Sequence, residues 1–319
     1  MSYPVVVAEL VRSGFVEGRH HGSVVALDRA GAVDWAVGNV DEPVLPRSCN
    51  KPVQALAMVR LGLDLPPELL ALACASHSGE PFHLEGVRRI LALADLPESA
   101  LQTPPDLPFD PDEREAVIRG GGDRTSVQMN CSGKHAAMLL TCVLRGWDTA
   151  TYLDPAHPLQ RVIHDTFEDL TGEPVDVTGV DGCGAPVLSA SLIGLARAFR
   201  RLATATDGPE QRIADAVRAH PEWVSGTRRD ERELLAAIPG AIGKMGAEAC
   251  YAVALPDGRA FALKVDDGGD RARPVLMAAA LQRSGVDAEP GVDGDAVRRT
   301  GRAPVLGGGR EVGEIRAAL

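Results

Sequence analysis

Short runs rich in β-branched residues open the chain: Pro4 to Leu10, Gly22 to Leu27 and Ala32 to Val37, separated by glycine and aspartate turn signals. Such runs read as strands, and their spacing predicts an antiparallel meander. The period then changes. Lys51 to Leu61 is a continuous Ala/Leu/Val/Met stretch that predicts a buried helix. Pro66-Pro67 opens a second helix running to Ala75, because proline is tolerated in a helix's first turn. In His83 to Ala94 the residues Leu84, Val87, Leu91 and Ala94 recur at helical spacing. Residues 96–128, rich in Pro, Asp and Gly, read as a long surface connection. Ala136 to Leu144, Pro158 to Thr171 and Pro186 to Leu202 read as further helices, the last with Leu188, Leu192, Leu195 and Phe199 on one stripe. Residues 209–238 add charged amphipathic helix. Cys250 to Leu255 and Arg259 to Val265 alternate about Pro256-Asp257-Gly258, the clearest hairpin signal in the chain. The tail, 286–312, is rich in Gly, Asp and Arg and reads as loop.

Strands at both ends around central helices predict an α+β fold whose terminal strands share one antiparallel sheet. A chain of 319 residues suits one domain spanning 1–319, with a sheet part and a helical part inside it. The formal net charge of −11, with no basic run, argues against a nucleic-acid partner. No apolar run is long enough to span a membrane, and Met1 to Phe15 lack a signal peptide's basic start. Six cysteines, Cys49, Cys74, Cys131, Cys142, Cys183 and Cys250, are too dilute for a disulfide scaffold and fit free thiols. A cytoplasmic location is the expectation.

Lysine usage sharpens the picture. Of 33 basic side chains only Lys51, Lys134, Lys244 and Lys264 are lysine, and the rest are arginine. Burial or a neighbouring charge can strip a lysine of its proton, whereas arginine stays charged. Three of the four sit in Ser-, Cys- or Gly-rich segments. Ser48-Cys49-Asn50-Lys51 places hydroxyl and amine one helical turn apart, although a bare S-x-x-K more often means a capping serine and a solvated lysine. Ala75-Ser76-His77-Ser78-Gly79-Glu80, followed by His83, is dense polar chemistry after a buried helix, with an ordinary capping loop as the competing meaning. Asn130 to His135 and Gly179 to Pro186 each set a cysteine in a Gly-bearing turn before an apolar helix, where backbone N–H groups can lower a thiol's pKa. No C-x-x-C spacing supports zinc. Gly243-Lys244-Met245-Gly246 places a lysine between glycines just before a strand. Lys264, on an alternating strand, reads as facing solvent or a ladder partner.

N-C-S-G-K-H, V-D-G-C-G-A-P and G-K-M-G-A-E occur together and in order, between V-R-S-G-F-V-E-G-x-H-x-G and G-G-x-x-V-G-E-I-R. The set resembles the L-asparaginase family of the inducible rhizobial (Rhizobium etli) type, distinct from the bacterial type I and II and the Ntn-hydrolase asparaginases. The resemblance spans nearly the whole chain. It implies a fold related to serine β-lactamases and S-x-x-K glutaminases, a homodimer, and hydrolysis of L-asparagine to L-aspartate and ammonia. It further implies a Ser48–Lys51 pair and a second pair of Ser76, or its near neighbour Ser78, with Lys244. Arg47, Glu80, Asp181 and His135 would bind the substrate. Cys131, Lys134 and Cys183 would hold a modulatory zinc. Ser48, with its base on the same helix, is the expected nucleophile, and Ser76 and Lys244 either pass protons or polarise the amide. A glutaminase or another S-x-x-K acyl transferase is the nearest rival, and a binding protein without turnover is the rival from outside catalysis.

Overall fold

The structure, a computed structural model, describes residues 5–319, so Pro4 of the first predicted strand lies outside it. Among the described residues ten strands form: β1 (Val6–Arg12), β2 (Phe15–Leu27), β3 (Val33–Val37), β4 (Thr178–Val180), β5 (Pro186–Leu188), β6 (Ile242–Gly246), β7 (Cys250–Ala254), β8 (Ala260–Val265), β9 (Ala303–Gly307) and β10 (Arg310–Ala317). Eight of them make one antiparallel sheet in the order β6-β7-β8-β2-β1-β10-β9, with β3 paired to β2. The expected α+β class, with strands from both ends in one sheet, is therefore the architecture found.

The β7–β8 hairpin falls where Pro256-Asp257-Gly258 placed it, in a register that sets Ala254 opposite Ala260. Other readings need correction. The glycine-rich tail is not loop but a helix, Gly294–Thr300, followed by the β9–β10 hairpin. There Gly308 and Gly309 supply the positive φ of the turn. The connection at 96–128 carries a helix, Pro111–Arg119, whose start is capped by the Asp110 carboxylate. The stripe read as one helix from Pro186 begins as strand β5, because Pro186 to Leu188 pair with Thr178 to Val180. The helix proper, Leu192–Ala203, starts only where Ser191 caps Gly194. β6 was not expected: two glycines broke its pattern, yet all five residues are buried.

β6, β7 and β8 are buried along almost their whole length, so this half of the sheet is covered on both faces. The helices Leu192–Ala203 and Arg273–Arg283 pack against β8 and β2. The predicted helix at Lys51 forms as Lys51–Arg60, and every residue in it except Arg60 is buried. It packs against Pro158–Thr171, Gly208–Ala219 and Ser132–Arg145. A helix that is apolar all round belongs at the centre of a bundle. Its first turn therefore lies at the junction of helical layer and sheet, and the single 3-10 turn before it, Arg47–Asn50, lies against β6. That junction is where the candidate side chains gather.

Candidate active site

Arg47 precedes Ser48 with φ of 55°, a left-handed conformation that a side-chain-bearing residue adopts only under constraint. Two bonds supply it. The Cys49 N–H donates to Pro46 O at 3.1 Å, and Arg47 Nε donates to Asp181 Oδ1 at 2.7 Å. Glycine is required on the facing strand, since a Cβ at Gly246 would lie 2.3 Å from Pro46 O. The turn is thus clamped, and it leaves the Ser48 hydroxyl half-buried with no hydrogen-bond partner among the described residues.

The lysines pair differently from the expectation. Lys51, 1% exposed, donates from Nζ to Ala75 O at 2.6 Å and to Ser76 Oγ at 2.9 Å. Lys244 does not reach Ser76 by hydrogen bond; its Nζ lies 3.1 and 3.2 Å from the two carboxylate oxygens of Glu231 and 3.0 Å from Met245 O. Both members of that ion pair are fully buried. Nor is Lys244 in a loop before a strand: it is the central residue of β6, opposite Ala252. Burial, and then the Lys51 and Arg229 cations, outweigh Glu231 and lower the Lys244 pKa below the ordinary lysine range. Lys51 and Ser76 meet because Ser76 lies just past the end of the helix Pro67–Ala73, which packs on Lys51–Arg60.

Asp181 and Cys183 sit in the hairpin loop between β4 and β5, closed by the Asp181 N–H to Ala185 O at 2.9 Å. A strand, not the expected helix, follows this turn. Arg47 spends one N–H on Asp181 Oδ1, which also accepts from the Gly182 N–H; the Arg47 Nη groups and Asp181 Oδ2 have no partner among the described residues. Glu80 is committed elsewhere: its oxygens accept from the Thr227 N–H at 2.8 Å and the Thr227 hydroxyl at 2.7 Å. Ser78 is buried, its hydroxyl unpartnered among the described residues.

The two cysteine turns converge. Cys131, at the start of the helix Ser132–Arg145, lies beside Cys183, and Lys134 Nζ donates to Cys183 Sγ at 3.2 Å. Hydrogen bonding from Cys131, opposed by burial, and the Lys134 cation hold Cys183 far below the usual thiol range. The same contact pushes Cys131 well up. Burial disfavours the Lys134 ammonium, but Cys183, Cys131 and Asp181 outweigh it and raise its pKa. His135 bonds the Tyr152 hydroxyl through Nδ1 at 2.8 Å, while its buried Nε2 is unpartnered among the described residues. No group of three His, Cys, Asp or Glu side chains arranged to hold a metal occurs among the described residues. The Cys131 and Cys183 thiols nevertheless lie buried with Met129 and Ala185, and the buried Lys134 amine reaches Cys183, a donor set suited to a soft divalent ion once the groups lose their protons.

Sequence reasoning missed Glu231. The run Asp230-Glu231-Arg232-Glu233 falls in the stretch read only as charged amphipathic helix, and Glu231 shares the buried side of that helix with Leu234 and Leu235. A carboxylate at i on a stripe that continues at i+3 and i+4 was the available signal.

A family model described as L-asparaginase II matches residues 8–317. No curated protein sequence matches the chain. Among solved structures, a β-lactamase from Mycobacterium bovis aligns over 82% of this chain and 94% of its own, at 16% identity and a TM-score of 0.46. A hydrolase with promiscuous acyltransferase activity aligns over 82% and 93%, at 14% identity and a TM-score of 0.42. Likenesses this loose carry nothing about the chemistry.

Proposed function

Because the chain belongs to the L-asparaginase II family, we propose that it hydrolyses L-asparagine to L-aspartate and ammonia by acyl transfer through Ser48. One observation supports this mechanism above the rest: the Lys51 amine, buried and without a carboxylate partner among the described residues, is already hydrogen-bonded to Ser76 Oγ. An amine so placed can take a proton from one hydroxyl and hand it on through another.

In the first step Ser48 Oγ bonds to the side-chain amide carbon as Lys51, in its neutral form, takes the hydroxyl proton. The C–N bond then breaks, and Ser76 relays the proton from Lys51 to the departing nitrogen, which leaves as ammonia. Water attacks the β-aspartyl ester as Lys51 accepts its proton, and the ester C–O bond breaks as Lys51 hands that proton to Ser48 Oγ, restoring both groups. Lys244, pinned to Glu231, acts as a fixed positive charge rather than a base. The free Nη groups of Arg47 would bind the substrate's α-carboxylate and the free Oδ2 of Asp181 its α-ammonium. Glu80 then serves by holding the Thr227 segment in place. Zinc would be held by Cys131, Lys134 and Cys183, and when bound it supplies charge and rigidity to these turns. The same reading makes the protein a cytoplasmic homodimer; no helix among the described residues is long and apolar enough to cross a membrane.

Ammonia release from L-asparagine, L-glutamine and a β-lactam tests the reading. Asparagine should be favoured over glutamine by about 10- to 200-fold in kcat/KM, the usual worth of one methylene in a pocket. Equal or reversed rates would make the enzyme a glutaminase, and no release from any amide would leave only a binding role. Asp181→Asn should raise KM for asparagine by about tenfold or more with a smaller change in kcat, since it weakens uniform binding of the ammonium. An unchanged KM would remove Asp181 from the substrate site.

A further inference from the structure

His77 follows Ser76 directly, is completely buried, and takes no part in the proton path just described. It makes two bonds to a remote segment. Its backbone N–H donates to Asn130 O at 3.0 Å, and its ring Nε2 lies 2.8 Å from Ser132 Oγ. The Ser132 hydroxyl has a single proton, and it donates that proton to Val127 O at 2.8 Å. Its oxygen must therefore accept from His77, which fixes the ring as the Nε2–H tautomer. Burial first, then His83 and Lys51, hold His77 well below the ordinary histidine range, so the ring stays neutral and Nδ1 carries no proton. A neutral buried ring whose only proton is committed to a hydroxyl cannot shuttle protons. It can fix a position.

What it joins is informative. Ser132 lies between Cys131 and Lys134, on the turn that forms one side of the thiol cluster, and Ser132 is itself fully buried. On the other side, Ser76 is held by its N–H to Val224 O and by Lys51 at Oγ. His83 stacks on the His77 ring, with centroids 5.2 Å apart, and prevents it from swinging away.

We propose that His77 is a positioning residue that ties Ser76 to the Cys131–Lys134 turn, so that the state of the thiol cluster sets the contact between Ser76 and Lys51. The inference rests on the reading of Ser76 as a proton relay. Any group bound by Cys131 and Lys134 pulls on the residue between them, and Ser132 passes that shift to the segment bearing Ser76. The cluster can thus modulate the rate without touching the reacting atoms.

The test compares His77→Phe, His77→Gln and Ser132→Ala with the parent. His77→Phe should lower kcat by about 10- to 100-fold, the usual cost of misplacing a reacting group by a fraction of an ångström, with KM within about twofold. The amide of His77→Gln can still donate to Ser132 and should return kcat to within about threefold of the parent. Ser132→Ala removes the same bond from the other partner and should reproduce the loss, so a His77→Phe protein that fails to fold does not leave the inference open. Ring ¹⁵N spectra of the parent should show a neutral Nε2–H tautomer whose signal moves when zinc chloride is added, and does not move in Ser132→Ala. A proton on Nδ1, a signal indifferent to zinc in the parent, or parent-like kcat in folded Ser132→Ala would overturn it. If the parent releases no ammonia at all, the amidohydrolase reading fails, while the tautomer and the zinc response still decide whether His77 couples the two segments.

Discussion

Ser48→Ala should abolish ammonia release from L-asparagine, with kcat falling by about 10⁴-fold or more, as removal of a covalent nucleophile does elsewhere. Lys51→Met should fall almost as far, by about 10²- to 10⁴-fold, because it removes the group that takes the proton. The structure makes this a real contest between two serines. Ser48 lies on the clamped turn, half-buried and free of partners among the described residues, which suits a hydroxyl that must meet substrate. Ser76 holds the lysine, 2.9 Å away, which suits either a relay or a rival nucleophile. Ser76→Ala should therefore form the β-aspartyl enzyme more slowly, since it hinders departure of the nitrogen, while the adduct still sits on Ser48. Intact-protein mass spectrometry after rapid quenching reads the adduct, and peptide mapping places it. An adduct on Ser76, or a Ser48→Ala enzyme retaining a tenth of the parent rate, would exchange the two roles.

Glu231→Ala should cost about 3–5 kcal/mol of stability, because it strands the buried Lys244 charge without its counter-ion. It also deprives the Met245 N–H of its acceptor, since that group donates to Glu231 Oε1 at 2.6 Å. The deficit should shrink as pH rises. Lys244 already has a folded pKa below its unfolded value, and losing Glu231 lowers it further. Between those two values the unfolded chain binds the extra proton, so stability of the variant climbs with pH by at most about 1.4 kcal/mol per unit until the unfolded lysine itself titrates. Urea midpoints at pH 6 and pH 9 measure this. A midpoint equal to the parent's at pH 6 would mean that Lys244 is not held as an ion pair. A parallel loss of activity in a folded sample would tie the fixed charge to catalysis.

These two residues also show how far the sequence could be read. Local patterns were legible: Pro256-Asp257-Gly258 gave its hairpin, and the apolar run after Lys51 gave the central helix. So were the segments that assemble, because lysines kept among arginines and cysteines beside glycines mark chemistry wherever the chain takes them. Pairing was not legible. Reading three residues along one helix joined Lys51 to Ser48, but could not show that the hydroxyl bonded to that amine is Ser76's, brought from beyond the end of another helix. Lys244 was likewise joined to Ser76 when its partner is Glu231, hidden in a run of charge. Strands failed where glycine diluted them, as in β6 and in the β9–β10 hairpin, since their burial comes from neighbours brought from far along the chain.

The order of strands has a consequence for synthesis. β1 and β2 form a local hairpin that the ribosome releases early, but the other edge of β1 pairs only with β10, which begins at Arg310. At about 5–20 residues per second that partner emerges some 15–60 s later. Until β10 is made the nascent chain therefore carries an open edge with apolar Val7 and Leu10 beside it, a template for pairing with neighbouring chains. Yield in cells should respond to holdase chaperones and translation speed more than to the stability of the finished sheet, and the arrival of β10 is what ends the hazard.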